Sequence, residues 1–83
     1  MDTTQEQTLT NKVRSLLVGI FRVSLDEMPP DMAFGDIPQW DSFGHMEVMI
    51  SLEEQYGVEI TTETISELVN IPMICAYLEK KGF

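Results

Sequence analysis

Between Ser24 and Asp41 the chain reads SLDEMPPDMAFGDIPQWD, and this stretch restricts the fold more than any other. Pro29, Pro30 and Pro38 break the helical hydrogen-bond pattern and bias the residues before them away from helical geometry. A connection of this length is unusual in a compact domain unless it packs by its own apolar side chains. Leu25, Met28, Phe34, Ile37 and Trp40 are the candidates. The topology implied is a helix bundle with one long irregular crossover.

Helical periodicity flanks the crossover on both sides. Leu9, Val13, Leu16, Leu17, Ile20 and Phe21 fall on one face of a first helix. Thr3 with Glu6, or Thr4 with Gln7, has capping-box spacing at its start. Gly19 weakens this helix by about 1 kcal/mol relative to alanine. A second helix is predicted over Ser42 to Tyr56, stopped by Gly57. Thr61 or Thr62 caps a short third helix, TETISEL, with Glu63 favourably placed in its first turn. Asn70 and Pro72 start a fourth, from Ile71 to Lys80, with Lys80, Lys81 and Gly82 at its end. No strand alternation of useful length, repeat or low-complexity run interrupts the pattern. The expected fold is all-α: a four-helix bundle of three main helices and one short one, with a single core in one domain spanning 1–83.

With 43% apolar and 23% charged residues, the 83-residue chain has enough apolar content to fold. Fourteen acids against five bases give a formal net charge of −9. Phosphates would be repelled, which argues against a nucleic-acid partner. Such acidity either keeps the protein soluble or steers basic partners towards it. The single cysteine, Cys75, permits no internal disulfide and suggests no metal cluster. The opening MDTTQEQTLTNK has neither the basic region nor the apolar run of a secretory signal. No apolar run approaches the roughly 20 residues that span a bilayer. A cytoplasmic protein is expected.

The second helix has two apolar sides. At about 100° per residue, His45, Val48, Met49, Leu52 and Tyr56 form one stripe, suited to the core. Phe43, Met46 and Ile50 cluster opposite, with Glu47 and Glu54 among them and Glu53 at the margin. Either the long crossover covers Phe43 or Ile50, or the outer stripe docks a partner. In the second case apolar anchors would supply affinity, and the acidic rim orientation and on-rate.

Asp41 and Ser42 stand where this helix begins. Either can be the N-cap. A helix N-terminus also stabilises a phosphate through its free N–H groups and its dipole, so the Ser42 hydroxyl is well placed to carry a phosphodiester. His45 lies three residues on, in the core stripe, and reads as a buried, hydrogen-bonded residue and not as a base. No nucleophile–base–acid triad is assembled.

The segment DSFGHMEVMISLEEQYGVEI resembles that of acyl carrier proteins, in which Asp-Ser-Leu opens the second helix and Leu-Glu-Glu-x-(Phe/Tyr)-Gly-Val-x-Ile closes it. The likeness is most specific from Ile37 to Ile60, and helix order agrees over nearly the whole chain. The resemblance implies a four-helix bundle with a short third helix. It also implies that Ser42 receives 4'-phosphopantetheine from coenzyme A, through a separate phosphopantetheinyl transferase with Mg²⁺. The terminal thiol of that arm would hold acyl groups as thioesters. Asp41 matches the acid that helps the transferase dock. Glu47, Glu53 and Glu54 match acids that meet basic patches on acyl-loading and acyl-processing enzymes. Met46 and Ile50 match exposed apolar positions that pack against such enzymes, and Phe43 of the same outer stripe is counted with them as a partner-binding residue. The chain itself would be no enzyme, and a monomer. Phe43 departs from the usual leucine. Gly44 replaces an acid of many fatty-acid carriers, which would remove a charge from the docking face. Thr62 and Thr64 likewise replace acids, hinting at a specialised pathway. Sequestered acyl chains would have to pass between residues such as Val48, Met49, Ile65, Leu68 and Ile74. Fatty-acid, polyketide or related biosynthesis is the expected setting. An aminoacyl or peptidyl carrier, or a carrier-like fold serving only as a protein-binding module, are the alternatives.

Overall fold

Val13, Leu17 and Phe21 recur every four residues, so one side of a helix carries all three into the interior. In the computed structural model that helix, α1, spans Asp2–Phe21. The structure describes residues 2–83, with side chains from residue 9 onward. Leu9, Leu16 and Ile20 pack against the core, partly buried. The caps expected at Thr3–Glu6 and Thr4–Gln7 lie outside the described side chains. Beyond α1 the chain turns at Arg22, whose φ of 59° is left-handed and whose N–H reaches the Val18 carbonyl at 2.8 Å.

The proline-bearing crossover is tied down on two sides. It opens with a 3-10 turn, Leu25–Glu27, preceded by Ser24, whose N–H donates to Glu27 Oε1 at 2.9 Å. From α1, Arg14 donates through Nε to the Met28 carbonyl at 2.7 Å and through Nη2 to the Leu25 carbonyl at 3.2 Å. Such charge-assisted bonds are stronger than neutral ones. Further on, the Phe34 N–H donates to the Val69 carbonyl at 2.7 Å and the Ile71 N–H to the Met32 carbonyl at 3.0 Å. This isolated antiparallel bridge pairs Ala33 with Asn70.

Met28, Met32 and Trp40 are the buried anchors of the crossover, and Ile37 packs against them half-buried. A fully buried methionine contributes about 1.5–3 kcal/mol. Leu25 and Phe34, expected in the core, are instead 47% and 44% exposed. Arg14 holds the Leu25 turn by its carbonyls, so that turn needs no apolar anchor. The bridge fixes Phe34 by its backbone and leaves the ring at the surface. Met32, on the adjoining residue of the bridge, takes the interior place.

Helix α2 runs Ser42–Tyr56 and ends as its glycine suggests. Gly57, at φ 71°, donates to the Glu53 carbonyl at 2.9 Å, and Val58 donates to that of Leu52 at 3.3 Å. The bond from the left-handed Gly57 to Glu53 is that of an αL helix end, and the Val58 side chain that follows is buried. Helix α3, Thr62–Glu67, is capped by Thr61, and α4, Ile71–Lys80, by Asn70, whose Oδ1 accepts from the Met73 N–H at 2.8 Å. Val48, Met49 and Leu52 of α2 meet Leu68, Ile71, Ile74 and Leu78 in the same buried cluster as α1. The result is an all-α bundle of three main helices and one short one, without a strand among the described residues. Among those residues, no helix is long and apolar enough to cross a membrane.

Candidate functional site

Asp41 has extended backbone and stands just outside α2, where its Oδ1 accepts the Gly44 N–H at 2.9 Å. Its carbonyl accepts from the His45 N–H at 2.7 Å. Asp41 is therefore the N-cap, and Ser42 is the first helical residue. Because Asp41 takes the capping role, the Ser42 hydroxyl is left out of it. Ser42 is exposed. The first-turn N–H groups and the helix dipole give the surroundings of that hydroxyl a positive bias. Such a terminus suits a covalently attached, singly charged phosphodiester.

Gly44 is buried, which corrects the expectation that it faces partners and merely lacks a charge. A Cβ there would collide with the Gln39 carbonyl and come within 3.0 Å of the Phe21 ring. The crossover backbone thus lies directly against the first turn of α2, and only glycine leaves room for it. Thr64 also has a structural reason: it is buried, and its Oγ1 donates to the Glu59 carbonyl at 2.8 Å while accepting from the Thr61 N–H at 2.9 Å. Thr62 is exposed, and nothing in the structure explains its replacing an acid.

His45 is 4% exposed and engaged at both ring nitrogens. The Trp40 indole N–H donates to Nδ1 at 3.1 Å, so Nε2 carries the proton and donates to the Ile65 carbonyl at 2.8 Å. Phe34 meets the imidazole edge-on, with ring centroids 5.6 Å apart. Both imidazole nitrogens are held in structural bonds, in agreement with the core role expected of this residue. Cys75 is no surface thiol either: it is buried, lies 3.8 Å from Thr10 Oγ1, and burial pushes its pKa up. The nucleophilic thiolate is thereby disfavoured.

Residues distant in sequence complete the surroundings of Ser42. Phe34 from the crossover, His45 and Met46 from α2, Ile65 from α3 and Val69 beyond it line an open cleft with Ser42, about 350 Å³ in volume. Sequence periodicity pointed to neither Phe34 nor Val69 here, because the bridge between the crossover and the start of α4 brings them in. On the outer side of α2, Phe43, Met46 and Ile50 are 86%, 39% and 45% exposed. The crossover therefore covers neither Phe43 nor Ile50. Glu47, Glu53 and Glu54 are all exposed on this helix.

An exposed hydroxyl at a polarised helix start, an apolar cleft beside it and an acid-rimmed apolar face thus stand together on and beside α2. Residues 11–78 match the family described as the phosphopantetheine attachment site. The acyl carrier protein of Solidesulfovibrio magneticus is 30% identical over 74 residues, which cover 89% of this chain and 95% of that protein. That of Bdellovibrio bacteriovorus is 31% identical over 71 residues, 86% of this chain and 91% of its own. The meromycolate extension acyl carrier protein of Mycobacterium bovis is 26% identical over 80 residues, 96% of this chain and 69% of its own. The chain belongs to the acyl carrier protein family, and the group such a carrier bears is 4'-phosphopantetheine.

Proposed function

We propose that Ser42 is the attachment residue and that residues 1–83 act as one discrete carrier domain in the cytoplasm. The observation that carries this reading is the exposed serine heading α2, with its neighbour Asp41 already committed to the cap. On a phosphopantetheinyl transferase with Mg²⁺, the Ser42 oxygen would form a new bond to the phosphorus bearing the pantetheine half of coenzyme A. The adenosine bisphosphate half would leave, and the hydroxyl proton would pass to a base on the transferase. When bound, the arm supplies a terminal thiol that holds acyl groups as thioesters. The protein's own residues orient and present that arm.

Partner enzymes of a fatty-acid, polyketide or related pathway would dock on the outer side of α2. Phe43, Met46 and Ile50 would supply the contact area, and Glu47, Glu53 and Glu54 would meet basic patches. Asp41 would serve the transferase as well as the helix. The test is direct. Incubation of the apo protein with coenzyme A, Mg²⁺ and a promiscuous transferase is expected to add the mass of one phosphopantetheine, and Ser42→Ala is expected to abolish the gain. A gain that persists in Ser42→Ala, or no gain in the unaltered chain, would reject the assignment.

A further inference from the structure

Among the described residues, sulfur reaches the surface through methionine and not through cysteine. Cys75 is buried, and burial pushes its thiol pKa up, which disfavours the thiolate that oxidants attack. A thioether needs no such ionisation. Met28, Met32 and Met49 are at most 4% exposed, whereas Met46 is 39% and Met73 44% exposed. The two exposed methionines stand in different places. Met73 is on α4, where it lines a groove with Ala76 and Tyr77. Met46 is on α2, about one turn from Ser42, and lies in the outer stripe between Phe43 and Ile50. The centre of a docking face is where contacts are driest and most of the binding energy gathers.

Resting on the reading of this face as the docking surface, we propose that Met46 is a reversible oxidation site through which hydrogen peroxide turns down docking at Ser42. The sulfur gives an electron pair to one peroxide oxygen. An S–O bond forms as the O–O bond breaks, and the proton of the transferred hydroxyl passes to the departing oxygen, which leaves as water. The thioether is oxidised by two electrons and the peroxide reduced by two. The product is a sulfoxide, so an apolar anchor becomes a polar one. Glu47, Glu53 and Glu54, exposed on the same helix, are only acceptors when ionised and cannot satisfy the new oxygen. A partner closing on the face would have to strip that oxygen of water without return. Methionine sulfoxide reductases restore the thioether, one enzyme for each epimer. In that step a dithiol becomes a disulfide and the sulfoxide oxygen leaves as water.

The apo protein would be treated with graded hydrogen peroxide, freed of it, mapped by peptide mass spectrometry and then loaded with phosphopantetheine. Met46 and Met73 are expected to take up one oxygen each before Met28, Met32 and Met49 take up any. The kcat/KM for loading is expected to fall in proportion to Met46 sulfoxide. At full occupancy the fall is about fivefold or more, because a polar oxygen forfeits the apolar burial of that side chain. Thermal midpoint and helical content are expected to hold, and treatment with both reductases to bring the rate back. Met73→Leu is expected to lose rate as the parent does. Met46→Leu, compared with itself before and after peroxide, is expected to keep its rate. Loading that holds or rises at full Met46 sulfoxide would overturn the proposal. So would an equal loss in Met46→Leu, oxidation of Met49 in step with Met46, or helical content lost together with the rate. In each of those cases untreated protein still gains the phosphopantetheine mass, and attachment at Ser42 stands. Untreated protein that gains no mass would overturn the attachment reading, and this one with it.

Discussion

Two glycines sit inside helices, and the same substitution is expected to act on them in opposite directions. Gly19 is exposed on α1 with open space where a Cβ would stand. Gly19→Ala removes only the entropic cost of glycine, and a gain of about 0.5–1 kcal/mol is expected. Gly44→Ala gains the same propensity but forces a Cβ onto the Gln39 carbonyl and against Phe21. Backbone cannot yield as a flexible side chain would, and overpacking of this kind costs about 1–3 kcal/mol. Urea unfolding of the two variants beside the parent would check both signs, and a stabilised Gly44→Ala would refute the close approach. His45 teaches a related lesson about residues. Its place in the core stripe of α2 was readable from spacing. Its partners were not, because Trp40 comes from an irregular turn and the Ile65 carbonyl from another helix.

The helices themselves were largely legible, because each end carries its own local chemistry. Gly57 could be read as the stop of α2, and Asn70 with Pro72 as the start of α4, from a few adjacent residues. The crossover was legible only in part. Its prolines announced irregular backbone, but which apolar residue turns inward depends on bonds to distant elements. Arg14 and the bridge to α4 therefore put Met32 in the core and leave Leu25 and Phe34 out. At the start of α2 one residue has two proposed duties, and they can be separated. Asp41→Ala removes the bond to the Gly44 N–H and is expected to cost about 1 kcal/mol of stability. Asp41→Asn keeps an oxygen to accept that bond while losing the charge, so stability is expected to hold. If Asp41 also meets the transferase, Asp41→Asn loads phosphopantetheine more slowly despite its intact fold. Equal loading rates for Asp41→Asn and the parent, in a mass-resolved time course, would confine Asp41 to the cap.

At the scale of the molecule the governing quantity is a net charge of −9 carried by 83 residues. Such a field cannot choose a fold, but it raises the encounter rate with a basic surface and falls off over about 8 Å at physiological ionic strength. Its reach is therefore short, and the acids nearest the proposed docking face would dominate. Glu47 and Glu54 are exposed on α2 near Met46 and Ile50, and they belong to the helix that carries Ser42. Reversing both, as Glu47→Lys with Glu54→Lys, changes the local field without removing a core contact. The double variant is expected to load phosphopantetheine about tenfold or more slowly at low ionic strength, the lower end of what steering supplies. Added salt is expected to slow the parent and to narrow the gap, since screening removes the attraction that the variant already lacks. The thermal midpoint is expected to hold or rise, because the reversal relieves repulsion among the acids. A double variant that loads at the parent's rate at low salt would mean that the acidic face plays no part in docking, leaving the apolar positions to carry it.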